Sequence, residues 1–264
     1  MLEKLFVIKI GGQIIDHETK LVAFLASFAA VKEKKILIHG GGKLATTLAE
    51  QMNIPQQMVE GRRITDEATL KVVTMVYAGY INKHIVALLQ ARHCDAMGFC
   101  GADGNIMLAH KRKKGSIDYG FAGDVDQVNA DRLEQLLQTG VTPVIAPITH
   151  NGQGQLLNTN ADTIAQEIAK ACSRIYEVSL VYSFEKSGVL LDVNDETSVI
   201  PSIHPADYEQ LKSEQKIFAG MIPKIDNAFS ALDSGVKQVI IGKAEQLQQL
   251  ISNKAGTTIS HEKH

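Results

Sequence analysis

Residues 6–12 read FVIKIGG, an apolar strand that contains one lysine, Lys9, and ends in Gly11 and Gly12. A second segment of this kind, ILIHGGGK, follows at residues 36–43. Glycine turns directly after apolar strands let backbone N–H groups come close to a phosphate, and a lysine beside them adds a fixed positive charge. The two segments therefore predict strands whose glycine ends converge on phosphate, and they favour phosphoryl transfer.

Apolar runs of strand length alternate with segments of helical periodicity, which is typical of an α/β fold with a mainly parallel sheet. We expect strands at residues 5–10, 35–39, 96–100, 141–147, 179–183 and 238–242. We expect helices at residues 18–33, 42–52, 66–91, 129–137, 160–171 and 225–234, and a hairpin excursion at 105–128. Because no low-complexity linker or repeat interrupts the chain, residues 1–264 are predicted to form one domain. Its two lobes are expected at about 1–174 and 175–264.

The composition is that of an ordinary soluble protein, with 21% charged residues and a formal net charge of −2. No basic excess favours nucleic acid, and no apolar run reaches the roughly 18 residues of a membrane span. The three cysteines form no CxxC pair, so a disulfide framework is not expected. His93, Cys94 and Cys100 match no zinc spacing, and no metal ligands are predicted. Without a signal sequence, the chain is expected in the cytoplasm.

Lys9 interrupts a strand of Leu, Phe, Val and Ile, where its ammonium costs desolvation unless an anion is near. A strand-end lysine that reaches solvent is the plain alternative. His39, beside the second glycine turn, is expected to be structural. The second turn fails the P-loop pattern because Leu44 stands where Ser or Thr is needed. It does match GxGxxA, the weak dinucleotide signal, with Glu60 about 20 residues on, although that signal normally occupies the first strand–helix turn.

Three later motifs place polar side chains next to expected helices. Arg62 and Arg63 precede the long helix, and arginine suits bidentate binding of carboxylates. In the segment LNTNAD at residues 157–162, Asn158 could bind substrate and Asp162 could hold lysines in place, although a helix cap explains the segment equally well. Lys224 opens a helix, which is electrostatically unfavourable unless an anion binds there.

Taken in order, these motifs resemble the amino acid kinase family over nearly the whole chain. Within that family they are most similar to the branch that phosphorylates N-acetylglutamate. The motifs that carry the resemblance are KxGG near residue 10, HGGGK near 40, RRxTD near 63, AGxxNK at 78–83, GxDG at 101–104, NxNAD at 158–162 and GMIPK at 220–224. The resemblance implies an open, mainly parallel eight-stranded sheet between helical layers. It also implies ATP-dependent phosphorylation of the γ-carboxylate of an N-acylated glutamate, the second step of arginine synthesis, with Mg²⁺ accompanying ATP.

The resemblance also assigns roles to residues of this chain. Catalytic roles fall to Lys9 and Lys224, which would stabilise the transferring phosphoryl group from opposite sides, and to Asp162, which would orient both lysines. The acceptor would be bound by Gly41, Gly42, Arg63 and Asn158. ATP would be bound by Gly11, Gly12, Glu185 and Gly188, where Glu185 departs from the Asp of many relatives. The acceptor lobe would be 1–174 and the ATP lobe 175–264.

Several alternatives stay open at this point. The acyl group is N-acetyl by default, but N-succinyl-glutamate or another carboxylate or carbamate would need only a different pocket wall, for which residues 77–80 and 105–128 are the candidates. A silent amino-acid sensor and a nicotinamide-dependent oxidoreductase are the other functions considered. The chain begins directly at its first strand and lacks the N-terminal helical extension that the resemblance associates with arginine-inhibited hexamers. What the resemblance implies is therefore a homodimer without strong arginine feedback, with the 66–91 helix as its candidate interface.

Overall fold

The computed structural model of the protein describes residues 2–59, 61–192, 194–214, 216–217 and 221–262. The strands are β1 (Lys4–Ile10), β2 (Lys34–His39), β3 (Gln57–Val59), β4 (Arg62–Ile64), β5 (Ala96–Phe99), β6 (Met107–Lys114), β7 (Ile117–Val128), β8 (Thr142–Ile145), β9 (Ile148–His150), β10 (Leu156–Thr159), β11 (Glu177–Phe184), β12 (Ser202–Ile203), β13 (Gln238–Lys243) and β14 (Thr257–Ile259). The helices are α1 (Gly12–Ile15), α2 (Glu18–Ala29), α3 (Leu44–Gln51), α4 (Glu67–Thr74), α5 (Asn82–Gln90), α6 (Ala130–Gln138), α7 (Ala161–Cys172), α8 (Pro205–Ser213), α9 (Ile222–Asp233) and α10 (Leu247–Ile251).

One sheet of eight strands forms the centre of the fold, in the order β12-β14-β13-β11-β1-β2-β8-β5. The six strands from β13 to β5 run parallel, and β14 and β12 run in the opposite direction. The predicted mainly parallel eight-stranded sheet is therefore confirmed. All six strands expected from periodicity belong to the parallel block.

Helices cover both faces of this sheet, and the alternation of side chains along β1 decides which residue faces which layer. Val7 packs in the hydrophobic cluster that includes α7 and α9, whereas Ile8 packs in the cluster that includes α2 and α5. Successive residues of a strand point to opposite faces. Lys9 therefore shares the face of Val7, on the side of α7 and α9.

Strands β6, β7, β9 and β10 close into a small four-stranded barrel beside the sheet. Its long β6–β7 pair confirms the hairpin predicted at 105–128. Strand β10 leads directly into α7, so the barrel fixes where that helix begins. The separate β3–β4 ribbon is tied to the barrel by a bridge between Thr65 and Gly120.

Helices α1, α8 and α10 lie where the sequence analysis predicts none, and two of the predicted helices differ in extent from the structure. The helix predicted at 18–33 ends at Ala29, because the chain needs the next four residues to return to β2. The helix predicted at 66–91 is α4 and α5 joined by a π-helical stretch, Met75–Ile81. Asp66 caps its start by accepting a hydrogen bond of 2.7 Å from the N–H of Thr69.

The combined helix Glu67–Gln90, with a mean hydropathy of 1.4, is long and apolar enough to cross a membrane by length and composition alone. A single helix of this kind is weak support for a span, since core helices pass the same test. Its buried residues Val73, Ile81 and Ile85 pack in the cluster that includes α2. We interpret it as a core helix.

Candidate active site

Two adjoining cavities lie at the carboxyl ends of β1, β2 and β11. The larger one, about 440 Å³, is bordered by residues of α1, α7, β11 and α9 and by residues next to them, among them Gly11, Gly12, Gln166, Tyr182, Phe184, Glu185, Lys224 and Asn227. The smaller one, about 240 Å³, is bordered by Gly40, Gly41, Gly42, Met58, Arg63, Tyr77, Ala122 and Asn158, among others. Of the described residues, four border both cavities: Lys9, Arg62, Asn160 and Asp162. Surface grooves of about 640 and 970 Å³ touch none of these four.

The ion pair between Lys9 and Asp162 stands where the two cavities meet. Lys9 Nζ lies 2.7 Å from Asp162 Oδ1, and only 15% of the lysine side chain is exposed. Asp162 is held in the first turn of α7 because Asn160 accepts hydrogen bonds from the N–H groups of Asp162 and Thr163, at 2.9 and 3.1 Å. The helix cap and the ion pair are therefore parts of one arrangement, although the sequence treats them as alternatives.

Lys224 approaches the same carboxylate from α9. Its Nζ lies 4.5 Å from the centre of the Phe184 ring. Burial lowers the pKa of Lys224, the charge of Lys9 adds to that lowering, and the charge of Asp162 opposes it. The charge of one carboxylate thus acts on two ammonium groups, of which Lys9 forms the close ion pair, and the excess positive charge would be stabilised by a bound anion.

The two glycine turns are in direct contact. A Cβ on Gly12 would lie 3.0 Å from the Cα of Gly42, so a side chain there would push the turns apart. Gly42 has a φ of +57°, the left-handed conformation that favours glycine. Asp16 anchors the second turn by accepting a hydrogen bond of 2.8 Å from the N–H of Lys43. The convergence expected from the sequence is present.

Gly11 contributes room to the cavity rather than a free donor. Its N–H donates to the carbonyl of Ser183 at 2.9 Å, so that amide is already paired within the protein. This pairing ties the first glycine turn to β11. The backbone cradle suggested for Gly11 therefore has to come from the neighbouring turn residues.

The residues predicted to bind the acceptor substrate border the smaller cavity. Arg63 donates hydrogen bonds to Gln56 and, at 2.9 Å, to Thr46 Oγ1. Asn158 Nδ2 donates to Thr65 Oγ1 at 3.0 Å. An arginine and an amide held in this way present fixed donors to a carboxylate.

Gly41 makes room for the Tyr77 ring, since a Cβ on Gly41 would overlap that ring. We expect Gly41→Ala to raise the KM for the acceptor by about 10- to 100-fold, because the added methyl group must displace the Tyr77 ring, which borders the acceptor cavity. Gly40→Ala is the matched control, because its Cβ would meet nothing nearer than 3.8 Å. Equal KM values for the two variants in steady-state kinetics would contradict this expectation.

His39 is structural, as predicted, and lies fully buried on the opposite face of the sheet from Lys9. Its Nδ1 faces the carbonyl of Gly40 at 2.9 Å, and its Nε2 faces Asn82 Nδ2 at 3.1 Å. The amide of Asn82 also donates to the carbonyl of Val144, so these partners assign the proton to Nδ1. Burial lowers the pKa of His39 to about 4, and the nearby charge of Lys83 adds to the lowering.

The buried neutral His39 should make folding stability depend on pH. Between pH 6.5 and about 4 the unfolded chain binds a proton at this histidine that the folded chain does not. The stabilisation is therefore complete above pH 6.5 and is lost as the pH falls toward 4, by up to about 3 kcal/mol. Urea unfolding across this range should show a shallower pH dependence for His39→Gln, and an unchanged slope would contradict it.

Glu185 and Gly188 are both predicted to bind ATP, but they lie in different places relative to the larger cavity. Glu185 borders the larger cavity, and its Oε1 is buried without a hydrogen-bond partner in the described part of the chain. Gly188 borders neither cavity and packs against Thr257, so the structure does not bring it to the site. Glu60 and Gly220 lie outside the described residues.

Several residues of the site are not singled out by the sequence motifs. Tyr182, whose hydroxyl donates to the carbonyl of Asp162 at 3.2 Å, pairs with Lys9 across β1 and β11. Its position on the same face as Leu180 is visible in the strand alternation, but the register against β1 is not. Gln166 lies one helical turn after Asp162, so the helix period could have indicated it.

Comparison with known proteins shows the family of the chain. The profile of the amino acid kinase family matches residues 4–243. The acetylglutamate kinase of Cytophaga hutchinsonii is 56% identical over 252 residues, 95% of this chain and 96% of that protein. The acetylglutamate kinase of Bacteroides thetaiotaomicron is 53% identical over 259 residues, 98% and 99% of the two chains. The solved carbamate kinase of Giardia has a TM-score of 0.71 at 12% identity and covers 98% of both chains, a likeness of fold.

Proposed function

The chain belongs to the amino acid kinase family, and we propose that it uses ATP to phosphorylate the γ-carboxylate of N-acetylglutamate, the second step of arginine biosynthesis. The observation that carries this proposal is the meeting of two cavities at the Lys9–Asp162 ion pair, with Lys224 on the far side. Relatives named acetylglutamate kinase over nearly the full length support the choice of acceptor. The product is an acyl phosphate.

The two substrates divide between the two cavities. ATP occupies the larger one, where Gly12, Glu185 and Lys224 lie, and N-acetylglutamate occupies the smaller one, where Arg63 binds its α-carboxylate and Asn158 assists. All described residues that border the smaller cavity come before 174, in support of an acceptor lobe at 1–174. The larger cavity takes residues from both lobes, so the 175–264 lobe supplies only part of the ATP site.

The reaction needs charge stabilisation and no general base. The γ-carboxylate is already ionised at pH 7, so one of its oxygens can attack the γ-phosphorus directly. The bond between that phosphorus and the β–γ bridging oxygen breaks, and ADP leaves with the electron pair. Lys9 and Lys224 stabilise the charge on the transferring group, while Asp162 keeps the two ammonium groups in place.

We propose that Mg²⁺ enters with ATP and neutralises phosphate charge, coordinated by phosphate oxygens and water. Within the described ranges, no group of three His, Cys, Asp or Glu could hold a metal ion. The carboxylate of Glu185, with its unpaired Oε1, borders the larger cavity and fits a water-mediated contact to such an ion.

We further propose a cytoplasmic homodimer. The cysteines Cys94, Cys100 and Cys172 are all free, as expected for a reducing compartment. The long helix exposes Met75 and Tyr80, at 53% and 63%, in support of an interface there. Sedimentation equilibrium should give about twice the chain mass of 28.7 kDa, and a monomer would contradict this.

The test of the proposed function is acyl-phosphate formation, trapped as a hydroxamate with hydroxylamine. The enzyme, ATP and Mg²⁺ are incubated side by side with N-acetylglutamate, N-succinylglutamate, free glutamate and carbamate. We expect hydroxamate from N-acetylglutamate in proportion to the ADP released. No hydroxamate and no ADP with either acylated glutamate would contradict the proposal and would favour a sensor.

A further inference from the structure

Arg62, the first residue of β4, borders both cavities, whereas Arg63 borders only the smaller one. The two side chains leave the strand in opposite directions. Arg63 reaches Gln56 and Thr46, and Arg62 reaches Thr163 at the start of α7. None of the roles described so far uses Arg62.

The contacts of Arg62 within the protein are long. Its Nη2 lies 3.4 Å from Thr163 Oγ1, and its Nη1 lies 3.9 Å from Asp124 Oδ1. The same carboxylate oxygen accepts a much closer hydrogen bond, 2.7 Å, from Arg112 Nη1. The guanidinium groups of Arg62 and Arg112 therefore share the carboxylate of Asp124, and Arg112 makes the closer contact with it.

Arg62 is thus an incompletely neutralised cation in a confined place, with 24% of its side chain exposed. Burial lowers the pKa of Arg62, and the charge of Arg112 adds to the lowering. A guanidinium offers five N–H donors in a planar fork, which matches two oxygens of a carboxylate or a phosphoryl group. A bound anion would satisfy donors of Arg62 that have no close partner among the described residues.

This inference rests on the proposed function, in which the acceptor has two carboxylates: one for Arg63 and one beside Lys9. We propose that the Arg62 guanidinium binds a third anionic oxygen group of the reactants at the boundary between the two cavities. Two groups have this chemistry: the γ-phosphoryl of ATP, and the distal carboxylate of a dicarboxylic acyl group such as succinyl.

The test compares Arg62→Met and Arg62→Lys with the unsubstituted enzyme, and Arg132→Met, an exposed arginine outside both cavities, is the matched control. Values of kcat and KM are measured for ATP, N-acetylglutamate and N-succinylglutamate, together with the thermal unfolding midpoint. A charge-assisted bidentate contact is worth about 10- to 100-fold in kcat/KM. Arg132→Met should change none of these values.

The γ-phosphoryl group and the distal acyl carboxylate predict different changes in kcat and KM. If Arg62 binds the γ-phosphoryl group, Arg62→Met lowers kcat about tenfold or more with both acceptors. If it binds an acyl carboxylate, kcat/KM falls only with N-succinylglutamate. If Arg62→Met proves unstable, Arg62→Lys decides, because its ammonium keeps the charge but loses the bidentate fork.

Kinetics within twofold of the unsubstituted enzyme for both acceptors, in a variant of unchanged unfolding midpoint, would overturn the assignment of Arg62. That result leaves the proposed function intact. An unsubstituted enzyme that forms no acyl phosphate from either acceptor would instead contradict the proposed function, and the assignment of Arg62 would fall with it.

Discussion

Replacing Lys9 by methionine is expected to lower kcat about 1,000-fold and to leave the fold intact. Methionine keeps most of the apolar length of the side chain but removes the ammonium that lies 2.7 Å from Asp162 at the junction of the cavities. Removing one preorganised group that stabilises developing charge typically costs about 10²–10³ in kcat, and a full positive charge stands at the upper end. The measurement is the initial rate of hydroxamate formation at saturating ATP and N-acetylglutamate.

Lys43→Met is the matched control for this variant. Lys43 lies directly after the second glycine turn, but its side chain is exposed and borders neither cavity. It should retain nearly full kcat. A Lys9→Met enzyme with near-normal kcat would contradict the role given to Lys9. If kcat falls and the circular dichroism spectrum is also lost, the loss of activity comes from unfolding.

Asp162→Asn is expected to have the second-largest effect, a fall in kcat of about 100-fold or more. The amide keeps the shape of the carboxylate but cannot neutralise Lys9 and Lys224, so the two ammonium groups repel each other and lose their alignment. Asp162 also raises the pKa of Lys224 against burial, and its removal lowers that pKa further. The alkaline limb of the kcat profile should therefore move to lower pH.

The control for this variant is Asp126→Asn, because Asp126 is an exposed carboxylate of the hairpin that borders neither cavity of the site. Its kcat and pH profile should match those of the unsubstituted enzyme. An Asp162→Asn enzyme that keeps its alkaline limb in place would refute the coupling between Asp162 and Lys224, even if its kcat were reduced.

Much of the fold could be predicted from the sequence because buried parallel strands leave a strong local signal. The apolar runs around Val7, Leu37, Val144 and Leu180 are short, bounded by glycine or polar turns, and separated by helical periodicity. The sequence does not predict strands β12 and β14, because two or three residues are too few to show a hydrophobic period. The sequence predicts too long a helix at α2, because the apolar residue Val31 continues the helical pattern after the helix has ended.

The site was less predictable, and Arg62 shows why. The sequence places Arg62 and Arg63 side by side, and only the strand alternation of β4, together with the barrel that carries Asp124 and Arg112, separates their surroundings. Gly188 is an example of the same kind, since the sequence predicts that it contacts ATP but in the structure it packs against another part of the chain. Its neighbour Thr257 is distant in sequence, and no local pattern announces that contact.

The amino-acid sequence is enough to place Lys9 at the carboxyl end of a parallel strand and Gly12 and Gly42 in turns at the same edge of the sheet. These are local consequences of hydrophobic period and glycine chemistry, and every parallel strand brings its carboxyl end to that edge. That Asp162 and Lys224 lie near Lys9 is visible only in the folded chain. The reason is that α7 and α9 must pack on the same face of the sheet as Val7, and that choice depends on strand order and crossover hand rather than on any short stretch of sequence.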